Sequence, residues 1–308
     1  MRKNVMYLCV FCLVAINLLL LHLFLRTVCK PYDAVVEHLF NQPQIKIFVT
    51  YHKPSYLPKR GKIVQPIQVG RAIERESFMG GKLSAEDVFW LHENMIGDDS
   101  GDNISSKNRT FDVLTAYYWV WKHYREVGNP QYIGFMAHRK QLVFGSFNPE
   151  EPDYGYQSDE LLKILERHKI IFAPMAIAYE NNPLPISLYE AYNINHNIAD
   201  FDAMLRIIKQ KYPELYKVAE DIIFDDKHLY AAWNFWIMEK SLAFDYFEKL
   251  FDVMFELEKN IGSEVEKRDF YQRRAFGFLA ERFFAIWLEF EKRNSHIVPY
   301  KAKHFVRD

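Results

Sequence analysis

The chain has 308 residues, of which 49% are hydrophobic and 26% are charged, and its formal net charge is -1. This composition is typical of a globular protein with enough apolar residues for one large core. A nucleic-acid-binding protein usually carries a basic surplus, so the near-neutral charge argues against that class of partner. The three cysteines, Cys9, Cys12 and Cys29, lie near the N-terminus. The rest of the chain therefore offers no disulfide, thiolate metal site or cysteine nucleophile.

The first 30 residues contain a hydrophobic segment, 5–25, that is apolar except for two polar residues. A helix of this length can cross the ~30 Å hydrocarbon core of a bilayer. Its end has no small-residue cleavage site, so we predict an uncleaved single-pass membrane anchor over residues 1–30 and a stalk over 31–44. Basic residues on both sides leave the orientation open. In a bacterium we expect the remaining chain to face the cytosol, whereas in a eukaryote the same charges would suit a lumenal placement.

The remaining chain alternates short apolar runs with helical patterns. In its first part, the predicted elements are a strand at 45–51, a mostly loop-like region at 54–110 with one helix at 84–94, a helix at 110–127, a strand at 132–136, a helix at 158–168 and a strand within 169–174. In its second part, they are helices at 197–211 and 214–223, a short strand at 234–238, and long amphipathic helices at 242–259 and 270–292.

This order of elements predicts an α/β fold. Strands that alternate with helices favour a mostly parallel, Rossmann-type sheet with helices on both faces, and the later helices form a helical C-terminal half. We place this domain at residues 45–295 and expect 296–308 to be a C-terminal tail. No dinucleotide fingerprint, phosphate-binding Walker loop, zinc-protease motif or nucleophile elbow is present.

One loop is rich in carboxylates. Residues 97–105 contain Asp98, Asp99 and Asp102 together with Asn103 and two glycines. Such a loop can hold Mg²⁺ or Mn²⁺ through carboxylate and diphosphate oxygens, or it can hydrogen-bond a ribose. A solvated acidic turn is the alternative interpretation.

Two turns carry basic residues directly after predicted strands. His52 and Lys53 follow the first strand, and the turn 138–140, which contains His138 and Arg139, follows the strand at 132–136. Ligands of open α/β sheets bind at the carboxyl ends of strands, where such cations would face a diphosphate. An ordinary basic turn is an equally good interpretation. We expect the acidic loop and the turn 138–140 to converge on one pocket.

A third group lies on the last predicted helix, where Arg274, Phe278 and Glu281 share one face. Glu281 can serve as a base for an acceptor hydroxyl. It can also hold a neighbouring arginine, which is the commoner role of a glutamate beside an arginine on a helix and the interpretation that we favour from the sequence.

Several stretches of the chain together resemble one known family. They are residues 47–54, 66–70, 97–105, 107–108, 114–122, 132–135, 138–139 and 274–282. Their order and spacing resemble a bacterial family from capsular and exopolysaccharide gene clusters, long described as a domain of unknown function and regarded as glycosyltransferases. The resemblance covers roughly residues 45 to 290.

The resemblance implies a GT-A-like fold and transfer of a sugar, galactofuranose or galactose in some relatives, from a nucleotide sugar such as a UDP-sugar. The acceptor would be a polysaccharide or a lipid-linked glycan at the membrane. The implied donor-binding residues are His52, Lys53, Gln68, Asp98, Asp99, Asn103, His138, Arg139 and Arg274.

The expected reaction is direct displacement at the anomeric carbon. Asp102 and Glu281 are the candidate bases, and Asp99 with Asp102 would hold Mn²⁺ or Mg²⁺ if a metal is used. A non-catalytic, membrane-tethered sugar-binding or scaffold protein of polysaccharide assembly is the alternative function, because a fold does not guarantee activity.

Overall fold

The structure is a computed structural model that describes residues 44–57, 62–78, 81–143, 158–174, 186–226 and 234–306. The predicted membrane anchor and all but the last residue of the predicted stalk lie outside these ranges. Within them, no helix combines the length and the apolar character that a membrane span requires. Residues Gln44–Asp308 belong to one compact unit.

The described strands form one mixed sheet. They are β1 (Ile45–Tyr51), β2 (Val64–Gln68), β3 (Ile96–Gly97), β4 (Tyr132–Ala137), β5 (Lys140–Val143), β6 (Ile170–Phe172), β7 (Trp236–Glu239), β8 (Tyr300–Lys301) and β9 (Lys303–Val306). The order along the sheet is β3-β2-β1-β4-β7-β6-β8. On this path only β7 runs against the other strands. The sheet is therefore mostly parallel, as the sequence predicts.

Nine α-helices occur in the described ranges. They are α1 (Ala85–Asn94), α2 (Asn108–Phe111), α3 (Leu114–Lys122), α4 (Ser158–His168), α5 (Leu188–Asn195), α6 (Ile198–Lys211), α7 (Pro213–Ile222), α8 (Lys240–Val265) and α9 (Ala275–Asn294). The side chain of Ser84 begins α1 by accepting a hydrogen bond from the backbone N–H of Asp87, and Pro213 opens α7. Both are common helix-start features.

The central strand β1 carries apolar side chains on both faces of the sheet. Phe48 points into a core with helices such as α3, α8 and α9. Ile47 and Val49 point into a second core, to which α1 contributes Leu91 and α4 contributes Leu165. Because successive strand residues face opposite sides, a continuous apolar run indicates a strand covered on both faces. The predicted two-sided cover by helices and the helical C-terminal half are confirmed.

Several features differ from the predicted elements, and they include strand β5 and helix α5, which the sequence did not indicate. The region 54–110 contains strands β2 and β3, which we did not predict. The predicted helix at 110–127 is instead two helices, α2 and α3, separated at Asp112. Residues 300–306, expected to form a tail, supply β8, which pairs with β6, and β9, which pairs with β5.

Candidate functional site

A cavity of about 340 Å³ opens where β1 and β2 end. The cavity is lined by the turns after these two strands, by the turn after β4, by α2 and by the segment before α9. The lining residues include His52, Lys53, Gln68, Gly70, Glu74, Glu76, Phe78, Asn108, Arg109, Asp112, Arg139, Phe270, Arg273 and Arg274. The carboxyl ends of parallel strands are the usual place for ligands in open α/β sheets. The cavity is therefore the candidate site.

Cationic side chains are concentrated in the lining. Arg109 is paired internally, because its Nε donates to Glu76 Oε2 over 2.8 Å. Arg274 pairs with Asp112. Lys53 and Arg139 have no carboxylate partner among the residues that the structure describes. These two cations are available to an anionic ligand.

Arg139 owes its position to a tight turn. Ala137 pairs with Lys140 in an antiparallel ladder, so His138 and Arg139 form the two-residue connection between β4 and β5. The side chain of Arg139 is exposed at the cavity. A turn this short fixes the direction of its residues more closely than a long loop does.

His138 lies beneath the cavity and does not line it. Its side chain is only 5% exposed, and its ring packs 5.3 Å from Tyr51 and 5.2 Å from His52. Its Nδ1 is 3.2 Å from the carbonyl oxygen of Thr50, and its buried Nε2 has no hydrogen-bond partner. Burial, together with the nearby charge of Arg139, lowers the pKa of His138 to about 4. At neutral pH His138 is therefore uncharged, and the turn has less positive charge than its sequence indicates.

Gln68 lines the cavity with both ends of its amide engaged. Its Nε2 donates to Glu74 over 2.8 Å, and its Oε1 accepts from Arg71 Nε over 2.7 Å. His92 also contacts Glu74, at 2.9 Å. This chain of polar contacts fixes the orientation of the Gln68 amide, because each bond restricts the next.

In the acidic loop, the side chain of Asp98 has a structural role. It is fully buried and accepts hydrogen bonds from the backbone N–H groups of Gly70 at 2.8 Å and Arg71 at 3.1 Å, and from the Ser105 hydroxyl at 2.5 Å. Gly70 has a φ of 65° and lines the cavity. Asp98 thus supports the cavity wall from behind, and its oxygens are already occupied by donors.

The other polar residues of the loop lie nearer the solvent. Asp99 and Asp102 are exposed, and the Tyr118 hydroxyl donates to Asp102 over 3.0 Å. Asn103 bonds within the loop, to the carbonyl oxygens of Asp99 and Gly101. Of the described residues that line the cavity, none belongs to 97–105. The expectation that the acidic loop and the turn 138–140 converge on one pocket is therefore wrong, and the loop contacts the cavity wall only from behind, where Asp98 accepts from Gly70.

We compared these carboxylates with the needs of a metal site. Across the described ranges, no three His, Cys, Asp or Glu side chains are grouped so that they can hold a metal ion. Asp98 is buried and already accepts hydrogen bonds from three donors. Only the exposed pair Asp99 and Asp102 is left as a candidate set in this loop, and it stays a prediction.

Asp112 is a cavity residue that the sequence did not reveal. Its Oδ2 accepts from Arg274 Nε over 3.0 Å, and its backbone has a φ of 52° and a ψ of -131°. An aspartate inside a helical pattern gives no sign that it interrupts the helix. Residues such as Leu114 and Tyr117, which continue the pattern beyond it, conceal the break.

Glu281 lies one turn into α9 beyond Gly277, beside the cavity rather than on its wall. Its Oε2 accepts from Arg282 Nη1 over 2.8 Å, and its side chain is 25% exposed. Burial raises the pKa of Glu281 to about 7, although Arg282 and Lys140 oppose the increase. A carboxyl group with this pKa can accept a proton near neutral pH.

Comparisons with known proteins identify the family of the chain. The model of the family described as "domain of unknown function (DUF4422)" matches residues 46–293. The chain belongs to this family. Among curated proteins, no sequence matches this DUF4422 chain significantly.

A solved structure is similar to this DUF4422 chain over most of its length. It is described as "WbbM bifunctional glycosytransferase apo structure", and it matches with a TM-score of 0.69 and 26% sequence identity. The match covers 86% of this chain but 46% of the WbbM chain, so the chain corresponds to about half of that protein. Together with the family match, this similarity confirms the family resemblance found in the sequence.

Proposed function

We propose that this DUF4422 protein is a glycosyltransferase that moves a sugar from a nucleotide-sugar donor, such as a UDP-sugar, to a glycan or lipid-linked acceptor. The observation that carries the proposal is the cavity at the ends of β1 and β2, where Lys53 and Arg139 have no carboxylate partner among the described residues. Arginine and lysine bind diphosphates through charge-assisted hydrogen bonds. The similarity to a glycosyltransferase supports the same conclusion.

The donor would bind with its diphosphate against the cations of the cavity. Lys53, Arg139 and Arg274 supply positive charge to the phosphate oxygens, and this charge would stabilise the leaving nucleoside diphosphate. Gln68, with its amide orientation fixed, would hydrogen-bond the nucleoside. His52 lies at the cavity and packs against His138, so it would support the donor more by contact than by charge.

The chemical step would be a direct displacement. The acceptor oxygen forms a bond to the anomeric carbon while the bond from that carbon to the diphosphate oxygen breaks, and the electron pair leaves with the diphosphate. Glu281 would accept the proton of the acceptor hydroxyl, since its pKa of about 7 suits a base at neutral pH. Asp102 is the alternative base, although its exposed carboxylate accepts from Tyr118.

The finer features of the function are also proposals. They are a GT-A-like fold, galactofuranose or galactose as the transferred sugar, a role in capsule or surface polysaccharide synthesis, and a membrane anchor in residues 1–30. A Mn²⁺ or Mg²⁺ ion held by Asp99 and Asp102 is also a proposal, which the donor screen tests by comparing release with and without Mn²⁺; neither residue lines the cavity. A non-catalytic sugar-binding or scaffold role is the competing function.

A donor screen on the full-length protein tests the proposal. Purified chain would be mixed with UDP-, GDP-, dTDP- and CMP-linked sugars, with and without Mn²⁺, and release of free nucleotide would be measured. We expect release from one donor class and at least a tenfold weaker donor affinity in Lys53→Ala and Arg139→Ala.

The matched control is Lys267→Ala, because Lys267 is an exposed cation just beyond α8 that pairs with Glu264. The control should bind and turn over donor like the unaltered chain. Donor binding without any release across the screen would favour the non-catalytic function, and a chain that binds no donor would refute the proposal.

A further inference from the structure

The break between α2 and α3 places Asp112 in an unusual backbone conformation at the wall of the cavity. Its φ of 52° and ψ of -131° lie in a region that side-chain-bearing residues rarely adopt. Strained backbone of this kind persists only where the surroundings enforce it, and it is concentrated at functional sites. The contacts of Asp112 therefore indicate what the strain maintains.

Two sets of contacts hold the backbone in place. Asn108 Nδ2 donates to the carbonyl oxygen of Asp112 over 2.7 Å, and the Thr115 hydroxyl donates to the same oxygen over 3.2 Å. The first turn of α9 closes the other side, because a Cβ added to Gly277 would lie 2.8 Å from the Asp112 Cβ. Glycine at 277 allows this close approach.

The carboxylate of Asp112 forms an ion pair with Arg274. Its Oδ2 accepts from Arg274 Nε over 3.0 Å and also contacts Nη2. The guanidinium of Arg274 also lies 5.3 Å from the centre of the Phe278 ring. A cation that is held at one edge by a carboxylate and across one face by a ring has little rotational freedom. The two contacts leave Arg274 partly exposed at the cavity, with 33% of its side-chain surface accessible.

We propose that Asp112 is a positioning residue that holds the Arg274 guanidinium in the orientation that contacts the donor diphosphate. The inference rests on the proposed function of the cavity. The backbone strain at Asp112 is the consequence of bringing a carboxylate to this point, which a regular helix from 108 to 122 would direct elsewhere. Asp112 acts through Arg274 and makes no bond to the reacting atoms.

Because the backbone of Asp112 is strained, replacing this residue with glycine distinguishes a positioning role from the role of an ion pair that only stabilises the fold. In Asp112→Gly the backbone relaxes, because glycine adopts positive φ freely, while the hold on Arg274 is lost. We therefore expect Asp112→Gly to keep the melting temperature of the unaltered chain within about 3 °C while its turnover falls about 10- to 100-fold. Asp112→Ala keeps the strain and loses the pair, so we expect it to lose both turnover and melting temperature. An ion pair that only stabilises the fold would lower the melting temperature and spare turnover.

The test is a double-mutant cycle on the full-length chain with Asp112→Gly, Arg274→Ala and the combination. The measured quantities are the Kd for UDP by calorimetry, kcat and KM for the donor, and the melting temperature. If Asp112 acts only through Arg274, the double variant should lose no more activity than Arg274→Ala alone. The inference would be overturned if the activity of the double variant fell by the product of the two single-variant factors. Unchanged turnover and UDP affinity in Asp112→Gly would also overturn it.

The same measurements separate this inference from the proposed function. A chain that binds UDP but transfers no sugar would refute the glycosyltransferase proposal, and the UDP affinities of the variants would still decide the role of Asp112. A chain that binds none of the nucleotide sugars of the donor screen and no inorganic pyrophosphate would overturn both.

Discussion

Replacing Glu281 with glutamine removes the carboxylate proposed as the base and leaves a side chain of nearly the same shape. Glutamine cannot accept the proton of an acceptor hydroxyl, so turnover should fall by about 10²–10⁴-fold, the usual contribution of a positioned general base. Donor affinity should change little, because Glu281 does not line the cavity. In the unaltered chain, kcat should rise with pH through about 7, as the Glu281 carboxyl loses its proton.

The same substitution should stabilise the protein at high pH. The pKa of Glu281 is raised from 4.5 to about 7, so the folded chain favours the protonated form and loses stability as the pH rises through this range. This difference corresponds to at most about 3 kcal/mol. Since 25% of the side chain is exposed, solvent screening should reduce the effect to about 1–2 kcal/mol. Because glutamine carries no charge, the variant should not lose this stability as the pH rises.

Thermal unfolding at pH 5 and pH 8 measures this effect. We expect Glu281→Gln to raise the melting temperature by about 2–8 °C at pH 8 and by less at pH 5. Glu264→Gln is the control, because Glu264 is exposed on α8 and its replacement should change neither turnover nor stability. A Glu281→Gln variant with normal turnover, or with the same melting temperature as the unaltered chain at both pH values, would refute the reasoning.

Three further predictions test other parts of the site. Asp98→Ala should lower the free energy of unfolding by about 2–4 kcal/mol, because three hydrogen-bond donors lose their acceptor; an unchanged denaturation midpoint would contradict its supporting role. Gly277→Ala should reduce turnover by pushing against Asp112, whereas Gly262→Ala, within α8, should keep turnover and gain up to about 1 kcal/mol of stability; equal turnover in the two variants would count against the close approach. The His138 imidazole should stay neutral down to about pH 5, since its pKa is about 4, and an NMR titration midpoint near 6.5 would disprove this.

Short-range sequence patterns predicted much of the fold. The apolar run of β1 and the run of β4 were recognisable because a strand covered on both faces has few polar residues. Since His52 and Arg139 follow these runs directly, their position at the carboxyl ends of the strands could also be predicted. Strand β2 was missed because it contains Pro66, which rarely occurs inside a sheet. The structure tolerates Pro66 because β3 pairs only with Ile67 and Gln68.

The roles of individual carboxylates could not be predicted from the sequence. Asp98, Asp99 and Asp102 look equivalent in one loop, and the tertiary contacts with Gly70 and Arg71 distinguish the first of them. Asp112 was missed for the opposite reason, because a regular helical pattern runs across it. Such distinctions depend on which distant segment packs against a residue, and local sequence does not contain this information.

The pairing of β5 with β9 joins the end of the described chain to the turn that carries Arg139. Lys140, the residue after Arg139, lies opposite Val306, and Val143 lies opposite Lys303. Without β9, β5 would lose its partner on that side, and the two-residue hairpin before it would be held by β4 alone. A shortened protein that ends before residue 303 should therefore bind its ligand less well, even though the missing residues lie more than 150 positions away in the sequence.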